Sequence, residues 1–451
     1  MKKTLLSIMA AAGVIASGTA LADSSLVEIY GTFNVDLENV NATGSTALGT
    51  PLPAGQMVNG AAGSATVGQP SGDVAPSRNR VTQNSSALGF RGKEDLGMGL
   101  QAIFQVESGI SFDSAATTTT TAGTTSTGFF ASRNSNVGLS SAKLGTVFYG
   151  NWDTPYKALT NTATFDSFYG TGIANDNTFI GTPGFGVQSI TTSVRNGNSS
   201  DASFDRRQGN TVQYWTPQFF GGLSFRFVYS ANEGRSAEPA SVTGVNINPA
   251  IYGGSVAYEY GPFRVAYAFE QHRDYFGLTQ LGGAVPTTTT NTTSRDNGNK
   301  VTLTYKLDTG LGATTANVAW ERLAYNNSDS IAAGDLIHYH RDLIYFALKH
   351  QIGAGTIRLG FGDAHRGSCD RAGGTACSTA GLDARHYAVG YSYSLSKRTD
   401  LYTFWTRVNN GQFANYELGN NAAITSNITA AAGPGVGAHQ QGFGLGIRHV
   451  F

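Results

Sequence analysis

In this 451-residue chain, the side chains whose type and spacing allow chemistry are charged groups set among aromatic ones. Arg226 alternates with Phe225 and Phe227, Arg264 with Phe263 and Val265, and Arg91 with Phe90 and Gly92. In extended backbone each arginine therefore faces away from an apolar neighbour. Arg207 stands where such a strand would begin. A second set of charges, Asp153, Asp166 and Asp176, followed by Asp201 and Asp205, lies between Asn151 and Asp205, where no alternation is visible. Fixed bases and acids facing one another across water create a transverse field, and the dominant sign sets which ions pass. Bond-making chemistry has less support. The eight histidines are scattered mainly over expected loops, and no nucleophile motif accompanies them. Cys369 and Cys377 lack the further ligands of a zinc site, and no HExxH occurs, so neither metal nor cofactor is expected. A local disulfide between the two cysteines is the favoured reading, two free thiols the alternative.

The elements that would position these charges are strands. At the C-terminus Phe443, Leu445, Ile447, His449 and Phe451 share one parity, and Gln440, Gly442, Gly444, Gly446, Arg448 and Val450 the other. One face is mostly apolar and the other mostly glycine with an arginine, which suits a strand between hydrocarbon and a space where bulk is unwelcome. Val27, Ile29, Gly31, Phe33, Val35 and Leu37 alternate in the same way near the start. Strand edges in lipid must be paired, so such strands imply closure.

A rhythm of short and long connections runs along the chain. Short turns fall at 95–99, 141–145, 216–222, 260–262, 308–312, 351–355 and 395–400, and every other connection is long. Seven short turns between seven strand pairs, with a lone strand at each end, predict an all-β, closed antiparallel transmembrane barrel of about sixteen strands. The segment Asn151 to Asp205 carries Trp152, Phe165, Phe168, Tyr169, Phe179, Ile180 and Phe185. An exposed excursion would not hold so many large apolar groups, so this loop is expected to fold into the barrel and narrow it.

Composition and the N-terminus agree. Met1-Lys2-Lys3, the apolar run Leu5 to Ala16 and Ala20-Leu21-Ala22 read as a secretory signal peptide over residues 1–22, leaving a barrel domain over 23–451. The leader carries two lysines and no acid, so the remaining chain has 28 basic against 30 acidic residues, a balance that implies no nucleic-acid partner. After the leader no apolar stretch is long enough for a membrane helix. With 58 glycines, 20 tyrosines and 25 phenylalanines but 13% charged residues, an exported chain of this make-up belongs in an outer membrane.

Several stretches carry a family resemblance: SSLVEIYG (Ser24 to Gly31), LGFRGKEDLGMGLQAIFQVES (Leu88 to Ser108), VGLSSAKLGTV (Val137 to Val147), YSYSLSKRTDLYTFWTRVNN (Tyr391 to Asn410) and GIRHVF (Gly446 to Phe451). The chain from Asp23 to Phe451 resembles a Gram-negative general-diffusion porin of the beta-proteobacterial type. The resemblance implies a homotrimer of sixteen-stranded barrels among outer-membrane lipid and lipopolysaccharide, each with its third extracellular loop in the pore. Such pores pass ions and small hydrophilic solutes by passive diffusion; a solute-specific channel is the alternative. Arg91 matches the basic residue of the family's LGF-K/R-G strand, and Arg207 the arginine that leads the sixth strand. Ala87 stands where many members have a larger or basic residue and Asn151 where the family usually has an arginine, which leaves the sign of ion preference open. Thr182-Pro183-Gly184-Phe185-Gly186 is similar to the tip of porin constriction loops. Phe451 resembles the terminal aromatic signal read by the barrel-assembly machinery.

Overall fold

The computed structural model describes residues 26–47, 49–57, 66–67, 77–110, 131–176, 179–184, 202–231, 249–275, 277–280, 293–328, 333–418 and 436–451. The leader, Asp201 and Phe185 lie outside them. The wall begins with β1 (Leu26–Thr43), β2 (Arg78–Gln83 and Ala87–Gly97), β3 (Leu100–Gly109) and β4 (Ser135–Ser141). It continues through β5 (Gly145–Asp153), β6 (Arg207–Trp215), β7 (Leu223–Ala231), β8 (Ala250–Tyr260) and β9 (Phe263–Arg273). Then come β10 (Thr293–Asp308), β11 (Ala313–Ser328), β12 (Leu336–Ile352) and β13 (Gly355–Ala364 and Ser368–Arg371). The last are β14 (Ala384–Ser394), β15 (Thr399–Asn410) and β16 (His439–Val450).

Each strand pairs antiparallel with its sequence neighbour, and β16 returns to β1 in a register that sets Ile447 opposite Val35 and Leu445 opposite Leu37. The described residues thus form sixteen staves in a closed ring, as the turn rhythm requires. The seven short turns lie at one end and the long connections at the other.

Period-two alternation decides which side each residue takes. Ile29, Phe227, Val265, Leu303, Phe361 and Leu445 all stand on the outer surface, with Ile29 60% and Leu445 57% exposed. An apolar belt of this size on every stave is unfavourable in water and favourable in hydrocarbon. The closing stave shows why its inner face is glycine. A Cβ on Gly446 would stand 2.4 Å from Cζ of Tyr402, and one on Gly444 2.3 Å from Cζ of Phe404. The rings of β15 lie across β16 with no room between them.

Phe451 completes the ring. Its amide donates to the Gly31 carbonyl and its carbonyl accepts from the Gly31 amide, both at 3.1 Å, while its ring packs 4.9 Å from that of Phe33. At the opposite mouth Cys369 and Cys377 form a disulfide, Cα–Cα 5.7 Å. The loop it closes receives the first long connection: the Met57 amide donates to Ser378 and the Ser378 amide to Gly55.

Replacing Gly446 by valine should place a branched side chain against Tyr402 and lower the heat-resistant, folded fraction on an unheated denaturing gel, consistent with an overpacking cost of about 1–3 kcal/mol. A folded fraction equal to the parent's would contradict this account of the glycine face.

Candidate functional site

The ladder of β5 extends through Asp153, so Trp152 belongs to the wall, edge-on to Phe148 and Trp215, and the long third loop begins at residue 154. Tyr156, Leu159, Phe165, Phe168, Ile173, Phe179, Ile180 and Phe204 are all buried, so the loop does lie inside the barrel. Wall glycines admit it. Phe168 fits over Gly390, where a Cβ would sit 2.7 Å from its ring, and Phe179 over Gly362 at 2.6 Å.

An irregular backbone inside a barrel still needs partners for its carbonyls. Side chains of the wall supply them. Asn317 Nδ2 donates to Thr164 and Phe165 at 3.0 Å, Arg358 Nη1 to Ser167 at 2.7 Å, and Lys349 to Ala163. Lys300 reaches the Tyr156 carbonyl and the Thr160 hydroxyl, and Arg341 Nε the Thr182 carbonyl at 3.2 Å. Between them lies Glu321, fully buried, which accepts from Arg341 Nη2 at 2.9 Å, the Tyr156 hydroxyl at 2.8 Å and the Gly181 amide at 2.9 Å, with Lys300 at 3.5 Å. One carboxylate thus ties both arms of the loop to β11 and β12.

What the loop leaves open is a pair of adjoining cavities. The first, about 300 Å³, is lined by Lys349, Arg358 and Arg448 with Asp400, beside Phe168, Tyr169 and Phe404. The second, about 260 Å³, is lined by Arg133, Lys157 and Arg207 with Glu107 and Asp153. Asn34, Tyr169 and Arg448 line both. Asn34 is aimed by the interruption of β2, where the Ser86 hydroxyl takes the Asn34 amide at 2.9 Å; its side chain donates to the Gly170 carbonyl. Together the two cavities show six cations and three acids.

The residues singled out from sequence fall in different places. Arg207 and Asp153 share the second cavity, 3.4 Å apart, with Lys157 3.6 Å from the same carboxylate. They make a direct ion pair on one side, where the sequence suggested charges separated across the pore. Arg226 and Arg264 line a third cavity of about 220 Å³ towards the short-turn mouth, with Glu259 and Lys306. The loop faces them there with Thr162, Thr164 and Phe165, without an acid. Arg91 is held by Glu28 at 2.8 Å.

Asp166 and Asp176 are the main correction. Both are 0% exposed, turned behind the loop and away from the water. Burial pushes the Asp166 carboxyl up to about 6 and that of Asp176 well above its ordinary value, with Asp166 adding repulsion to Asp176. Burial also raises Asp205, against the pull of Lys157. Sequence reasoning passed over Arg133, Lys157, Lys349, Arg358 and the Glu321 cluster. Arg448 was visible as the one charge on a glycine face. Among the described residues no group of three or more His, Cys, Asp or Glu side chains is placed to hold a metal ion.

A closed barrel with an apolar exterior and a charged lumen narrowed by an inserted loop defines a channel of the outer membrane. A family model described as Gram-negative porin matches residues 7–412, and the chain belongs to that family. It is similar to outer membrane porin protein 32 of Delftia acidovorans, 26% identical over 455 residues covering all of both chains. An outer membrane porin protein of Bordetella pertussis is 30% identical over 200 residues, 42% of each chain. Among solved structures, an anion-selective porin from Comamonas acidovorans has a TM-score of 0.62 at 22% identity, covering 95% of this chain and all of that one. OmpT of Vibrio cholerae has a TM-score of 0.52 at 14% identity, covering 96% and 99%. The chain is an outer-membrane porin, a water-filled channel for passive diffusion of ions and small hydrophilic solutes.

Removing Glu321 leaves Arg341 and Lys300 buried without their carboxylate, a loss of about 3–5 kcal/mol for a buried pair broken on one side. Glu321→Ala should give channels with higher, fluctuating conductance and a loop open to protease; steady conductance at the parent level would show that the clasp does not hold the loop.

The loop acids give docking a pH dependence. An acid whose value is raised in the docked state binds protons on docking, so docking is strongest at low pH and weakens as pH rises through about 6 for Asp166. Asp176 and Asp205 shift in the same direction. Open-level noise should therefore be lower at pH 5 than at pH 8, with the difference reduced in Asp166→Asn.

Proposed function

We propose that each barrel is an anion-preferring diffusion pore, that three copies assemble as a homotrimer, and that the working chain begins after residue 22. The observation that carries the preference is the lining of the narrowed lumen, where Arg133, Lys157, Arg207, Lys349, Arg358 and Arg448 face Glu107, Asp153 and Asp400. The chain as a whole has equal numbers of acidic and basic residues, so this excess is local. Low-dielectric walls make such an excess felt across the water between them. That the Comamonas acidovorans porin of similar fold is anion-selective supports the same sign. Family membership supports the proposed homotrimer, its contact with outer-membrane lipid and lipopolysaccharide, and its delivery by the barrel-assembly machinery. Passage makes and breaks no covalent bond, so no catalytic role is assigned to any residue.

In planar bilayers across a potassium chloride gradient, the reversal potential should report anion preference, stronger at 0.01 M salt, where screening extends to roughly 30 Å. Arg207→Gln and Arg448→Gln should each move it towards cations, and Asp166→Asn, which removes a buried charge, should move it less. A cation-preferring parent channel would overturn the reading.

Deleting Phe451 removes two backbone hydrogen bonds to Gly31 and the ring beside Phe33. The folded yield in the outer membrane should fall, while the pores that do assemble conduct as the parent does, because the ring stands beside Phe33 on the outer surface and lines none of the three cavities. Undiminished yield would remove Phe451 from assembly.

A further inference from the structure

The first cavity differs from the rest of the lumen in how its charge is compensated. Lys349 and Arg358 are direct cross-strand partners on β12 and β13, two cations side by side. Like charges placed opposite one another in a sheet are destabilising. Among the described residues neither has a carboxylate within ion-pair distance; the buried Asp166 attracts both, and Asp400 attracts Arg358, only from further away. Arg358 donates to the Ser392 hydroxyl at 2.9 and 3.1 Å and to the Ser167 carbonyl, and Lys349 to the Ala163 carbonyl. The cations of the second cavity, by contrast, are paired: Arg133 with Glu107 at 2.6 Å, and Arg207 and Lys157 with Asp153.

The cavity also presents apolar surface. Ala163 and Tyr169 of the loop and Ala313 of the wall are exposed to it beside the cations, over the buried rings of Phe168 and Phe404. Tyr169 is 39% exposed, and its ring stands at the boundary with the second cavity. Inorganic ions have no use for such a surface. On the far side Asp400 lies 3.8 Å from Arg448 and would repel a second negative group on a bound solute. A volume of about 300 Å³ is at the lower end of the roughly 300–1,000 Å³ of small-molecule sites.

We propose that this cavity is a binding subsite for organic monoanions with a flat apolar body, of which aromatic carboxylates are the type. The carboxylate takes the N–H groups of Lys349 and Arg358 not spent on the loop and Ser392. The ring lies against Tyr169 and the apolar wall. The channel is then selective by transient binding on top of charge, an inference that rests on the anion-preferring reading of the same lumen. The two cations hold a cost in the empty channel that a bound carboxylate relieves.

The test is the concentration dependence of current block in single parent channels by benzoate, acetate and benzyl alcohol at constant ionic strength. Benzoate should block at about one-tenth the concentration of acetate, the margin that an aromatic contact supplies, and benzyl alcohol should not compete. Tyr169→Ala should bring benzoate close to acetate. Arg358→Gln should weaken benzoate block about tenfold and leave its margin over acetate. Equal block by benzoate and acetate in the parent channel, or competition by benzyl alcohol as strong as by benzoate, overturns the subsite and needs no variant to fold. The reversal potential in potassium chloride judges the anion preference separately, so an anion-preferring channel without benzoate selectivity refutes the subsite alone.

Discussion

Everything in this molecule follows from the absence of water in hydrocarbon. A backbone amide or carbonyl left unpaired there costs several kcal/mol in rough terms, so the staves must pair on both edges and the ring must close. Even the two interrupted staves obey. At the break in β2 the Asn84 amide donates to Asn34 and the Ser86 hydroxyl replaces a ladder partner. At the break in β13 the His365 amide donates to Asp342. Once the ring is closed, the parity of each strand residue has no freedom, and the side it faces is fixed independently of the loop.

The same rule, applied inside, explains the lumen's charge. The third loop has no ladder to join, so its carbonyls take donors from the wall, and several of these donors are cations. Where the partner is a carboxylate, as at Glu321 with Arg341 and Lys300, one of the two positive charges is offset on site. Where the partner is a carbonyl dipole, as for Lys349 and Arg358, the hydrogen bond is satisfied without a carboxylate in contact. A chain with equal numbers of acids and bases can therefore hold a positive lumen, because its loop is pinned by cations and the loop acids Asp166 and Asp176 are buried.

These relations bear on what the sequence alone could disclose. Alternation was sufficient for the wall: Ile29, Phe227, Val265 and Leu445 stand outside, as their parity requires. Parity says which side a residue faces, however, and nothing of its height or of what covers it. Arg91 faces inward, yet its nearest acid is Glu28 on the adjacent stave, a pairing that only the register of β1 with β2 creates. Asp166 and Asp176 sit in backbone without a period, and whether a loop acid meets water or wall depends on tertiary contacts. One feature was within reach. The hairpin at Gly353 sets Ile352 opposite Gly355, and the same register, counted back, sets Lys349 opposite Arg358. The sequence carries that like-charge pair for anyone who takes the turn as fixed.

Loop position and ion preference are consequently not separable properties here. The groups that hold the stretch from Ala163 to Ser167 against β12 and β13 are the same groups that have no carboxylate in direct contact. A conventional salt bridge at this position would pin the loop more cheaply and would also neutralise the field. A neutral donor, such as Asn317 on the neighbouring stave, pins it without contributing charge. That both solutions occur within a few residues of each other argues that the two cations are retained for the charge they present to the water, with the carbonyls of the loop serving to hold them in place.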